Sequence, residues 1–179
     1  MDPKPLHVEH SVLGLGQRTV RLRDYTPIWS ELYEAEAIEI RAVLGELAFD
    51  VQHVGSTAVP GLKAKPILDI AVAVSNLTDL PLFEAALCRI GYEYAHWAGL
   101  NDNLVFGKGV ARTHLVHVVE RESVHWRNYI RFRTALRENG ALAAEYQSIK
   151  IALAQKYPSN RAQYTHEKEH FINRVLSAA

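Results

Sequence analysis

The sequence predicts an α/β (α+β) fold: a mixed β-sheet with helices packed on it and an all-helical C-terminal segment. Three observations carry this. The run ILDIAVAV (67–74) is almost wholly apolar, the pattern of a strand buried on both faces. Strand-like and helix-like segments alternate over roughly the first 120 residues. From Ser123 to the end the apolar spacing is helical throughout.

The elements follow in order. VRLRDY (20–25) alternates and suggests a short strand. Thr26 then Pro27 reads as an N-cap followed by proline at the first helical position. Ile28, Trp29, Leu32, Tyr33, Ala37, Ile40, Val43, Leu44 and Leu47 recur at helical spacing, which places a helix at about 27–47. A β-branched segment predicts a strand at 49–54, and STAVPGLKAKP, with two prolines and a glycine, predicts a loop. The apolar strand comes next, then a helix over 80–90 stopped by Gly91. Three strands are expected at 92–96, 103–106 and 113–119, with Asn101-Asp102 and Lys108-Gly109 as turns. The tail reads as helices at about 123–138, 141–156 and 160–177, punctuated by Asn139-Gly140 and Pro158. With no linker or repeat, one domain over 1–179 is expected, divided into an α/β part to about 120 and a helical tail from about 121.

Composition narrows the function classes. Apolar residues are 48% and charged residues 22%, a globular profile. Lys plus Arg equals Asp plus Glu at 20 each, so no whole-chain field points to a nucleic-acid or membrane partner. The single cysteine, Cys88, excludes an internal disulfide, and its place in FEAALCRI suggests a buried thiol. MDPKPLHVEH lacks the pattern of a signal peptide and no apolar stretch reaches membrane-spanning length. The expected compartment is the cytoplasm, without membrane association.

The chemistry concentrates on one stretch. Asp69 interrupts the most apolar strand, and a carboxylate there is costly unless paired, hydrogen-bonded or bound to a cation. It is either a structural acid, capping a turn or pairing with an arginine, or a functional one. The preceding loop supplies Gly55, Ser56 and Thr57 directly after a strand, where backbone amides and hydroxyls suit an anion. Lys63 and Lys65 offset negative charge on a ligand. His53, His114 and His117 fall on or beside the strands of this region. Three residues apart, His114 and His117 face opposite ways in a flat strand. His117 is the expected inward residue, as a general base or a partner of Asp69, and His114 the second choice. The alternative for either is a core histidine bonded to the backbone. His166 and His170, flanked by glutamates, are expected to be exposed.

HVGSTAVPGLKAKPILDI (53–70) resembles the signature of the GrpB family, and the resemblance spans nearly the whole chain. Tyr25 to Trp29, Arg112-Thr113-His114 with His117-Val118-Val119, Phe132-Arg133, Glu145-Tyr146 with Lys150, and Tyr164-Thr165 with Lys168 resemble its other recurring positions. The family is similar in fold to nucleotidyltransferases of the polymerase-β superfamily, whose Gly-Ser loop holds nucleotide phosphates and whose acidic strand residues bind magnesium. The resemblance implies a nucleotide or other phosphate-bearing ligand held by Gly55, Ser56, Thr57 and Lys65. It implies Arg112, Arg133, Lys150 and Lys168 neutralising charge, Tyr164 stacking or bonding a phosphate, His114 beside the ligand, and Asp69 with His117 as the reacting groups. Asp69 is the implied magnesium residue. A paired-metal site also needs a second carboxylate two residues on, where this chain has Ala71, and a third acid, where it has His117. Two further functions fit the resemblance: an aminoacyl-tRNA-dependent amide-forming transferase, against which the neutral net charge weighs, and an inactive ligand-binding module.

Overall fold

The computed structural model describes residues 12–178 apart from 17, 97 and 99–101. His7, His10 and the Asn101 half of the expected turn lie outside the described residues.

The strands are β1 (Asp50–Val54), β2 (Leu68–Val74), β3 (Tyr92–Tyr94), β4 (Leu104–Lys108) and β5 (His114–Glu120). They form one sheet in the order β1-β2-β5-β4-β3. β2 and β5 are parallel, and the other pairs antiparallel. The helices are α1 (Ile28–Leu44), α2 (Leu80–Cys88), α3 (Val124–Glu138), α4 (Gly140–Lys156) and α5 (Arg161–Ala178). The mixed sheet expected from the alternating first part is present, with β2 inside it.

Alternation along each strand sorts the two faces. Leu68, Ile70, Val72 and Val74 of β2, Val116 and Val118 of β5, and Leu104 and Phe106 of β4 form a core with Trp29, Ile40 and Leu44 of α1 and Phe83 and Leu87 of α2. Side chains of this size each gain about 1.5–3 kcal/mol by leaving water. The intervening positions, Asp69, Leu115, His117 and Val105, look the other way into a cleft roofed by α3, α4 and α5. Those helices have a smaller core of Leu136, Tyr146, Phe171 and Val175, which also takes in Val59 and Leu62 of the loop after β1. Tyr146 stacks on Phe171 at 4.9 Å between centroids.

The tail helices begin where side chains cap them. Ser123 accepts from the Trp126 amide at 3.1 Å and Asn139 from the Leu142 amide at 3.0 Å.

Two expectations need correcting. Residues 20–25 are not a strand: Arg23 makes a single antiparallel bridge to Ala64, and the Val20 amide bonds Pro158 O. The alternation is real but that segment finds no continuous strand partner. Cys88 is exposed, because α2 turns it away from the sheet while Phe83 and Leu87 take the core side. His166 and His170 are exposed as expected.

Candidate functional site

β1 ends at Val54, opposite Asp69 of β2, so the residue that follows meets the carboxylate. That residue is Gly55, at φ +69°. A Cβ on it would lie 2.6 Å from Asp69 Oδ2 and 3.0 Å from Asp69 Cβ. Glycine is therefore required twice, for its backbone conformation and for the close approach. A 3-10 turn over Ser56–Ala58 carries the chain away.

Asp69 opens into a cavity of about 910 Å³ between the sheet and the tail helices. Its side chain is 32% exposed, so the acid is neither sealed in nor fully solvated. Burial pushes its carboxyl up, but the hydrogen bond and charge of His117, then Lys65 and Lys168, outweigh it and hold the group below the usual carboxylate range.

His117 shares the cleft face, with Nε2 3.5 Å from Asp69 Oδ1. Its Nδ1 is 3.1 Å from the Tyr129 hydroxyl of α3. The Asn103 amide donates to that same hydroxyl oxygen at 2.9 Å. The phenol proton is thus left for Nδ1, and in its neutral form the imidazole carries its proton on Nε2, facing Asp69. Burial, with Asp69 reinforcing it and the Asn103 bond opposing, pushes the Tyr129 phenol far above its ordinary range, so it stays a donor. Tyr129→Phe removes this lock. We expect a stability loss of about 1–3 kcal/mol in urea unfolding, together with a mixed His117 tautomer by 15N NMR. An unchanged tautomer would show that the phenol does not set it.

Cations line the rest of the cavity. Arg18, Lys65, Arg112, Lys150, Arg161 and Lys168 face it against two acids, Asp69 and Glu169. Glu169 is already 3.3 Å from His166. Lys150 donates to Ser56 Oγ at 3.1 Å and to Lys63 O, which fastens α4 to the loop. Lys65 and Lys168 both approach the Tyr164 ring, with Nζ 5.3 and 4.7 Å from its centroid. Burial, then Lys168 and Arg161, pulls the Lys65 ammonium down to about 7 against Asp69. Burial and Lys168 bring Lys150 to about 7. Burial, opposed by Asp69 and aided by Arg161, brings Lys168 to about 8. Arg112 reaches the cleft over Gly107, where a Cβ would fall 1.9 Å from its Nη1.

The structure thus brings together Gly55, Ser56, Thr57, Lys65, Asp69, Arg112, His117, Lys150, Tyr164 and Lys168. The Thr57 hydroxyl is also engaged, 2.9 Å from His53 Nε2. Two expected site residues stand elsewhere. His114 points to the α1 side, 3.7 Å from Glu36 and edge-on to Tyr92, because strand alternation puts it opposite His117. Arg133 donates from Nη1 to Gln52 Oε1 at 2.8 Å and His53 O at 2.9 Å, tying α3 to β1 outside the cavity. Arg161, Tyr129 and Asn103 were not singled out by sequence. Arg161 had a signal, since it precedes Thr165, Lys168 and Ile172 at helical spacing along one cavity-lining stripe. Tyr129 and Asn103 had none.

The implied magnesium pair does not fit these residues. Among the described residues Asp69 is the only carboxylate on the cleft floor, Ala71 occupies the next cleft-facing position of β2, and His117 pairs with Ala71 across the strands. The surrounding ammonium and guanidinium groups oppose a divalent cation. Among the described residues no group of three His, Cys, Asp or Glu side chains is placed to hold a metal. A zinc site built on Asp69 and His117 lacks a third ligand: His114 is across the sheet and His125 is 3.1 Å from Asp102.

Sheet order, helical roof and cleft together define a nucleotidyltransferase-like fold. A crystal structure of the Cid1 poly(U) polymerase bound to MgATP matches 74% of this chain and 43% of its own, with a TM-score of 0.50 at 14% identity, a likeness of fold alone. The chain belongs to the GrpB family, whose model, described as GrpB protein, matches residues 19–178. The Glutamate-rich protein GrpB of Alkalihalophilus pseudofirmus is 35% identical over 172 residues, 93% of this chain and 99% of that protein. The crystal structure of conserved protein GrpB from Enterococcus faecalis has a TM-score of 0.79 and 37% identity, over 87% of this chain and 94% of that one. The resemblance read from residues 53–70 is confirmed. Among the described residues no helix is long and apolar enough to cross a membrane.

Proposed function

We propose that the cleft binds a nucleotide or another phosphate-bearing ligand, as a transferase of the nucleotidyltransferase-like type whose reaction is unassigned. The observation that carries this is the cationic surplus on one cavity of a chain with no net charge. Exposed surface charges disperse at no cost, whereas clustered, half-buried ammonium groups repel one another unless an anion joins them. Lys65, Lys168, Arg112 and Arg161 meet the phosphates, Tyr164 offers a ring, and Asp69 with His117 handles a proton beside them.

Nucleoside mono-, di- and triphosphates at millimolar concentration are expected to raise the melting temperature by several degrees. No shift with any of them would sink the proposal. Asp69→Asn separates roles within the site. Its carboxylate repels phosphate, so the variant should bind at least as tightly as wild type while any turnover is lost. A drop in affinity of more than about tenfold, with circular dichroism unchanged, would mean that the acid holds the ligand through a cation.

The same local field supports a second reading, in which the cleft receives the terminal adenosine of an aminoacyl-tRNA and passes the amino acid to an amine. The zero net charge of the chain weighs less once its cations are gathered in one place. Binding to charged tRNA that weakens steeply with salt would favour it. The missing second carboxylate supports a third, an inactive ligand-binding module, for which binding without turnover is the signature.

A further inference from the structure

We infer that this cleft takes its ligand as a metal-free polyphosphate, with Lys65, Lys168, Arg112 and Arg161 supplying the positive charge that a divalent ion would otherwise bring. The inference rests on the phosphate-ligand reading above and narrows it to a charge state.

Three observations converge on it. The first is the balance of unengaged charge. Of the six cations lining the cavity, Lys150 is occupied by Ser56 Oγ and Lys63 O, and Arg18 is at the exposed rim. The remaining four side chains have no hydrogen bond or carboxylate contact among the described residues, and the acids that face them are Asp69 and, beside Lys168, Glu169, which is itself 3.3 Å from His166. A single phosphate group would not balance four cations, whereas a di- or triphosphate would.

The second is convergence. Lys65 on the loop before β2 and Lys168 on α5 come to the same ring, Tyr164, from different parts of the chain. Like charges so placed destabilise the empty cleft, and a polyanion between them removes the repulsion. Arg112 is brought in by a specific device, the absent side chain at Gly107, which leaves the strand surface bare for the guanidinium.

The third is the poverty of the acid side. Magnesium retains several waters and is bound through one or two carboxylates together with substrate phosphates. Here Ala71 stands in place of the second carboxylate, and the ion would have to sit among four basic side chains that outnumber the acids. A magnesium-bound nucleotide also carries two fewer negative charges than the free form, so it gives up attraction to every one of those side chains.

The test is isothermal titration with ATP and, separately, inorganic tripolyphosphate, at matched ionic strength in either EDTA or excess magnesium chloride. Both probes are expected to bind at least about tenfold more tightly in EDTA. Tripolyphosphate should retain most of the ATP affinity, because the site reads charge. Lys65→Gln and Lys168→Gln should each weaken the EDTA arm while melting no lower than wild type, since each removes a repulsive charge. Binding that requires magnesium, or is tighter with it, overturns the inference and leaves the phosphate reading standing. Wild-type affinity in both lysine variants places the anion elsewhere and also overturns it. No binding of either probe under either condition removes the phosphate reading and this inference together.

Discussion

Gly55→Ala is expected to lower the unfolding free energy by about 2–4 kcal/mol and to abolish tight ligand binding. Two independent costs add at this position. At φ +69°, ψ −169° the backbone occupies a region that essentially only glycine visits. A methyl group there would also sit 2.6 Å from Asp69 Oδ2 and 3.0 Å from its Cβ. The carboxylate oxygen can swing away, but the Cβ is fixed by β2, which is held by β1 on one side and β5 on the other. The loop must therefore move, and with it Ser56 and the Lys150 contact that joins α4 to it. Gly140, the first residue of α4, is the control: nothing lies within 4 Å of a Cβ there, and alanine should be neutral or slightly stabilising. Urea unfolding of the two variants decides the matter. Equal midpoints would show that the loop yields without cost.

Acid should destabilise the protein well before its carboxylates titrate. His53 and His114 are both buried on the α1 side of the sheet, and burial brings each to about 4. For His53, Asp69 opposes burial while Arg137 and Arg133 reinforce it. For His114, Glu36 at 3.7 Å opposes, but that carboxylate is taken up by Lys108 at 2.7 Å and burial prevails. Between the folded value and the ordinary 6.5 the unfolded chain binds more protons than the folded one, so stability falls as pH falls through that window. Each group contributes ~3 kcal/mol of loss between pH 7 and 4, at 1.36 kcal/mol per unit. Set against a total of about 5–15 kcal/mol, the pair removes a large share of the stability. Asp69, held low, adds its own loss only below the ordinary carboxylate range. Urea midpoints at pH 7 and 4.5 measure the effect, and His114→Gln should flatten the dependence by about half. A midpoint independent of pH over that interval would mean that neither imidazole stays neutral in the fold.

The elements and the centre of the site could be read locally. Helical spacing in α1 and alternation in β5 are properties of neighbouring residues, and so is the glycine–serine turn preceding an acid in an apolar strand. That Asp69 and His117 share a face follows from the period of a strand, with β2 and β5 side by side, and His114 fell to the other face by the same rule. Arg133 marks where such reading stops. It resembles a recurring position of the family, yet its Nη1 donates to Gln52 and the His53 carbonyl, partners some eighty residues away. The Asn103–Tyr129–His117 line is of the same kind, joining the residue before β4, a residue of α3 and one of β5 with no spacing to announce it.

Charge shows the division most plainly. A sum over the chain is indifferent to position, and it comes to zero. A field depends on distance, and folding moves α5 over the loop so that Lys65 and Lys168 meet at one ring. Local chemistry was enough to specify the helices, the strands of the sheet and the acid beside its glycine, though not that residues 20–25 would find no strand partner; the electrostatic character of the cleft came into being only when remote segments packed, because Coulomb energy is a property of separations in space.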